Sequence, residues 1–324
     1  MVKSPISEFF TKKINVVLMA VLCVALWGST APVVKVAFDL FVIERDEIVS
    51  KILFAGLRFV IAGILTLIIP CIKQRKIIIP DKKIMPSIVS IGLVQTTLQM
   101  LFFFIGLSYT TGFKASVMGG VSTFFSVIIA HFMYKDDRLN FMKALGCIVG
   151  FAGVLISGLG GAEAVNEAML WGIPFMGDIL VMLSMFTFAV SGPMCKEAAK
   201  KGDVIVITGY SMLIGGAVLV IIGALSGGAL ENVSLAGFSV LLYLGALSAV
   251  ATTVWNMLLK YNTVSSISVF NCLLPVFGAI LSAILLGENV FEIKNLVALV
   301  LSCAGIYLVN RSSKKNKLTA GISS

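Results

Sequence analysis

The residues of this chain that could do chemistry are few, and most of them interrupt long apolar runs. Arg58 stands inside the run 52–72, and Lys35 lies near the end of the run 14–38. A charge at the centre of a membrane helix costs roughly 2.5–3.5 kcal/mol on insertion scales, so each cation needs a partner or a task. For Lys35, snorkelling to the interface is the plain reading. For Arg58, a structural bond to carbonyls and an anion-facing role fit equally. Together the two would make one half of a cavity positive, which suits a carboxylate-bearing substrate. His131, the only histidine, falls late in the run 112–134, where a hydrogen-bonded packing role outweighs a proton relay.

Neutral polar residues complete the set. Gln95 and Gln99 are one helical turn apart and share a face. Asn256 follows Trp255, and Asn271 lies in the run 264–287. Amides in hydrocarbon must find partners, so these side chains are expected to face the interior of a bundle, against substrate or between helices. Trp27 and Trp255 could wall a pocket or anchor at the interface. Pro275 removes a helical N–H, which suits a hinge or a static kink.

Other chemistries find little footing. The six cysteines form no CxxC pair and read as small packing residues. Asp136, Asp137 and Asp203 have no His or Cys at useful spacing, so an integral membrane enzyme is disfavoured. No phosphate-binding GxxxxGK[ST] motif is present, and no filter-like loop suggests a channel. No cofactor or metal is expected. No carboxylate falls at the middle of any run, which favours a facilitator or exchanger over coupling through a buried acid, with His131 or main-chain carbonyls as the remaining coupling groups.

The elements that must position these residues follow from composition. The 324 residues are 58% hydrophobic and 13% charged, with a mean hydropathy of +1.03, whereas soluble domains carry about 25% charged residues. Ten apolar runs, 14–38, 52–72, 86–107, 112–134, 141–160, 175–195, 204–228, 235–258, 264–287 and 293–310, approach or reach the roughly 20 residues that cross a bilayer. The first is too long for a signal peptide and reads as a retained span. The net charge of +9 sits in short clusters between runs, without the basic face that nucleic acid requires. With a cytoplasmic N-terminus, only Arg45, Lys51, Lys114 and Lys294 lie outside and only Lys35 and Arg58 within spans; every other Lys and Arg is inside. The outer loops are acidic, with Glu44, Glu163, Glu167 and Glu231. The positive-inside rule therefore puts both termini in the cytoplasm of a multi-pass plasma (inner) membrane protein.

The chain also repeats itself. Tyr109–Gly158 and Tyr261–Asn310 superpose without a gap, sharing Tyr109/Tyr261, Thr111/Thr263, Ser116/Ser268, Val117/Val269, Phe125/Phe277 and Gly153/Gly305. Trp27-Gly-Ser-Thr-Ala-Pro-Val-Val-Lys35 likewise matches Phe188-Ala-Val-Ser-Gly-Pro-Met-Cys-Lys196. Five spans per half is odd, so the second half enters the membrane from the opposite side. The expected fold is an all-α integral membrane protein of ten transmembrane helices, built as two inverted five-helix repeats, 14–160 and 175–310, with a cytoplasmic tail 311–324. Such pairs hold substrate near the midplane at their junction. Gly146-x-x-x-Gly150 and Gly223-x-x-x-Gly227 permit close helix approach and leave a homodimer open.

Several of these stretches carry a family resemblance. Trp27-Gly-Ser29 with Lys35, Leu57-Arg58-Phe59, Ala115-Ser-Val, Leu274-Pro-Val-Phe277 and Leu286-Gly-Glu288 resemble EamA-type members of the drug/metabolite transporter superfamily. The chain departs from that pattern at Thr123 and Asp136, where the first copy usually has Pro and Glu. The resemblance implies a secondary transporter of small metabolites by alternating access, an exporter of amino acids or related compounds, with the bilayer as its other partner. The alternative is another solute class, such as a sugar-nucleotide or a drug-like compound. Trp27, Ser29, Arg58, Gln95, Gln99, Trp255, Asn256 and Asn271 are the expected cavity residues. Lys35, His131 and Pro275 are the candidates for coupling or gating.

Overall fold

The computed structural model describes residues 5–44, 46–76, 78–109, 119–158, 173–278, 280 and 293–322. The repeat positions Thr111, Ser116 and Val117, the stretches Ala115-Ser-Val and Leu286-Gly-Glu288, and the outer charges Arg45, Lys114, Glu163 and Glu167 lie outside the described residues. After an N-terminal helical turn, Pro5–Phe9, the helices are α1 (Lys13–Leu40), α2 (Ile48–Gln74), α3 (Met85–Tyr109), α4 (Ser122–Met133) and α5 (Phe141–Gly158). They continue as α6 (Ile173–Lys201), α7 (Val204–Leu225), α8 (Leu235–Tyr261), α9 (Val264–Gly278) and α10 (Ile293–Ile322). Among the described residues, six of them (α1, α2, α3, α6, α7 and α8) are long and apolar enough to cross a membrane. α4, α5, α9 and Leu299–Ser312 of α10 are shorter apolar helices. From 311 onward, α10 continues as helix to Ile322.

Local chemistry sets the helix ends. Asp203 accepts from Ile205 N at 2.8 Å to open α7, and Ser234 accepts from Gly237 N at 3.0 Å to open α8. α2 ends at Arg75, whose left-handed backbone (φ 51°) stops the helix after Pro70. Two helices are irregular inside. α3 widens into a π segment, Gly92–Leu98, and α9 tightens into a 3₁₀ segment, Val269–Leu273, just before Pro275. The proline has no N–H to continue the ladder, so the turn before it repacks.

The two halves interleave. α2 packs along α7, α5 along α10, α3 along α6, α1 along α8, and α2 also on α8 as α3 does on α7. Exchanging the halves (α1 for α6, α2 for α7, and so on) returns the same pairings. Glycine makes the closest of these possible: a methyl on Gly63 would lie 2.7 Å from Leu213 N, and one on Gly216 would lie 2.7 Å from Val60 N. Gly146 and Gly150 meet Gly305 of α10 in the same manner, and Gly223 meets the backbone of Leu53. Gly227 makes no such approach; it ends α7 with φ +87°. Large apolar side chains such as Ile72, Phe132, Phe141 and Leu225 face outward, as a bilayer-facing surface requires.

Polar groups close the end of the bundle that carries both termini. The Lys143 ammonium meets Asp137 Oδ1 at 2.6 Å, both side chains fully buried, and Asp137 Oδ2 accepts from Ser265 N at 2.9 Å at the start of α9. Asn140 Oδ1 accepts from Lys143 N and from the Ser312 hydroxyl of α10. Among the described residues, Asp137 is thereby committed to holding elements together.

Candidate functional site

The polar centre is built by three helices. On α2, Arg58 is buried; its Nε donates to Ser248 Oγ of α8 at 2.8 Å, and one terminal nitrogen donates to Thr30 Oγ1 of α1 at 3.4 Å. Its guanidinium lies 5.6 Å from the Phe59 ring centre. No carboxylate pairs with the charge among the described residues. On α8, Ser248, Thr252 and Trp255 recur at helical spacing and so lie along one face. Trp255 is buried against Trp27 of α1, the ring centres 5.0 Å apart, one turn of α1 away from Thr30. Arg58 and the tryptophan pair thus occupy two levels of one α1–α8 seam.

Trp27 also meets Phe188 of α6 edge to face at 5.8 Å. These two residues hold matching places in the Trp27–Lys35 and Phe188–Lys196 stretches, so equivalent positions of the two halves touch. Ser29, beside them, spends its hydroxyl on Leu26 O of its own helix at 2.7 Å.

The amides fall on helix seams. Gln95 is buried in the π segment of α3, where its Oε1 accepts from Cys195 Sγ of α6 at 3.6 Å. Gln99 meets α6 through its main chain, its carbonyl accepting from Ser184 Oγ at 2.9 Å. Asn256 Nδ2 donates to Thr208 Oγ1 of α7 at 3.0 Å, and Asn271 Nδ2 donates to Ser122 Oγ of α4 at 3.3 Å. Both asparagines are buried, and the Oδ1 of each has no partner. An orphaned buried acceptor is costly, typically about 1–3 kcal/mol, and a donor at either site would relieve that cost.

The gating candidates separate. Lys35 is exposed and makes no polar contact among the described residues, so the structure does not bring it to Arg58. His131 Nδ1 accepts from Leu139 N at 3.0 Å, closing the turn after α4. Pro275 is buried in α9, two residues before Phe277, against which Gly28 of α1 lies so closely that a methyl on it would sit 2.8 Å from the Phe277 Cβ.

One residue the sequence reading passed over is Lys196, the second-half counterpart of Lys35. It is buried, donates to Asn262 O at 2.7 Å, and lies 4.9 Å from the Tyr134 ring centre. Asn262 Nδ2 in turn donates to Phe10 O at 2.9 Å. The Pro-x-x-Lys match was the available signal, but only the fold shows that one copy is latched while the other makes no polar contact among the described residues.

Comparison with known proteins bears on the whole arrangement. The chain is 27% identical over 292 residues to the WAT1-related protein At3g02690, chloroplastic, of Arabidopsis thaliana, covering 88% of this chain and 66% of that protein. It is 26% identical over 315 residues to the uncharacterized transporter YvbV of Bacillus subtilis (strain 168), covering 95% of each. A crystal structure at 16% identity matches its fold with a TM-score of 0.76, over 92% of this chain and 97% of the other. The model of the EamA-like transporter family matches residues 14–159 and 175–311, nearly the whole of both halves. The chain belongs to the EamA-like transporter family.

Proposed function

We propose that this membrane protein is a secondary transporter that moves small metabolites by alternating access, exporting amino acids or related compounds across the plasma membrane. In this reading all ten helices span the bilayer as two inverted repeats, with both termini cytoplasmic. The carrying observation is the helix pairing that survives exchange of the halves. A bundle whose halves are equivalent and oppositely inserted has two near-equal packings, each open to one side.

Arg58 supports a carboxylate-bearing solute, since a buried guanidinium without a counter-ion is stabilised by an anion. Trp27 and Trp255 would pack the apolar body of the solute. The free Oδ1 atoms of Asn256 and Asn271 would accept from its ammonium or amide groups, and Ser29, Gln95 and Gln99 would line the surrounding seams. Among the alternatives, Arg58 weighs against a drug-like cation. The test is purified protein in liposomes, screened for counterflow against a panel of amino acids, other carboxylates, sugar-nucleotides and cations. Counterflow of amino acids is the expected result; movement of no solute by a folded protein would end the transport reading.

A further inference from the structure

The end of the bundle that carries both termini holds a groove of about 580 Å³ between α1, α9 and α10. Its walls are graded. At the mouth stand Lys13, the first residue of α1, and Arg311 of α10, and Asn310 and Thr263 belong to the same lining. Deeper, the lining turns to Val17, Phe270, Ile306 and Cys303. On α10, Cys303, Ile306, Tyr307, Asn310 and Arg311 recur at three- and four-residue intervals and so share a face. At a rise of about 1.5 Å per residue, the descent from Arg311 to Cys303 is about 12 Å. That distance is enough to pass from headgroup level into the acyl region of a bilayer.

The charge is one-sided. Lys13 and Arg311 are both exposed, and among the described residues neither forms an ion pair and no Asp or Glu is in the lining. We propose that this groove seats one anionic phospholipid, its phosphate between Lys13 and Arg311 and an acyl chain along Ile306, Cys303 and Phe270. A basic mouth at the membrane surface attracts anionic headgroups electrostatically, while the apolar floor would be uncovered in water and is covered by a chain. The site is distinct from the Arg58 centre and does not depend on which solute is carried. It does border the latch, because Asn262, which accepts from Lys196, also lines the groove.

Cys303 supplies a probe, since it is exposed within the groove. The full chain in detergent micelles is alkylated with a maleimide, with phosphatidylcholine alone or with added phosphatidylglycerol, and Cys303 is followed by peptide mass spectrometry. Phosphatidylglycerol is expected to slow its alkylation several-fold while leaving that of Cys71 on α2 unchanged. Removing both cations (Lys13→Gln with Arg311→Gln) raises the lipid needed for half-protection about fivefold per cation, the effect of one basic residue at an anionic surface. The pair Lys13→Arg and Arg311→Lys keeps the protection. Equal protection by phosphatidylcholine, by soluble glycerol phosphate, or by phosphatidylglycerol in the double-Gln variant would overturn the proposal.

Discussion

Arg58 carries a charge that two hydroxyls and one ring only partly satisfy. Arg58→Gln keeps a polar side chain and removes the charge, so carboxylate uptake in proteoliposomes should fall about 10- to 100-fold, the worth of a charged hydrogen bond of about 1.5–3 kcal/mol. Arg58→Lys should fall between, because an ammonium lacks the fork that reaches Ser248 and Thr30 together. Unchanged uptake by a folded Arg58→Gln protein would remove the anion role. Asp137 offers a contrasting case. Asp137→Asn leaves the buried Lys143 without its counter-charge and should destabilise the fold by about 3–5 kcal/mol, seen as a lower melting temperature in detergent. The burial of Arg58 was legible because apolar neighbours flank it on both sides. Its partners were not, since Ser248 lies on α8, far along the chain, and only packing brings it near.

Among the helices, the closest approaches rest on single glycines. Gly216→Val should overpack the α2–α7 contact and cost about 1–3 kcal/mol, read as a lost melting temperature and weaker recovery of folded protein. Gly305→Val should do the same at α5–α10, where a methyl on Gly305 would already lie 2.6 Å from Gly146 O. A wild-type melting temperature in both would refute this account of the pairing. The four-residue glycine spacing at Gly146 and Gly150 pointed to this packing in advance. The wider spacing of Gly56 with Gly63, and of Gly209 with Gly216, did not fit that pattern and was overlooked. Pro275 marked where α9 would break. The π segment of α3 carries no proline or comparable local mark, because it arises from contact with α7, where Thr97 donates to Gly215 O.

For the molecule as a whole, the apolar runs marked the helices α1–α10 in the sequence, but which helix packs on which was not legible there. That Lys196 is held while its counterpart Lys35 makes no polar contact among the described residues was not legible either, because it depends on contacts many residues apart in sequence. If the protein alternates as proposed, the end near Lys196 can be followed with Lys35→Cys and Ala199→Cys in sealed vesicles, the second being a buried position one turn from the retained Lys196. Above the labelling of the parent protein, an impermeant thiol reagent should label position 35 readily from its own side and position 199 poorly, and a transported solute should shift that ratio. Equal labelling of both positions without solute would contradict closure at the Lys196 end.

Lys35 and Lys196 hold matching places, yet Lys196 is held by a carbonyl and a tyrosine ring while Lys35 makes no polar contact among the described residues. If the protein works by alternating access, as proposed, a carrier bolted at one mouth is kinetically lopsided. Solute arriving at the bolted side must wait for an opening step that solute on the far side does not meet, so KM and maximal rate differ with direction. If no ion gradient drives the cycle, the quotient of the two must still be equal in both directions. Unequal constants with an equal quotient would then be the signature of a passive carrier whose asymmetry comes from one lysine.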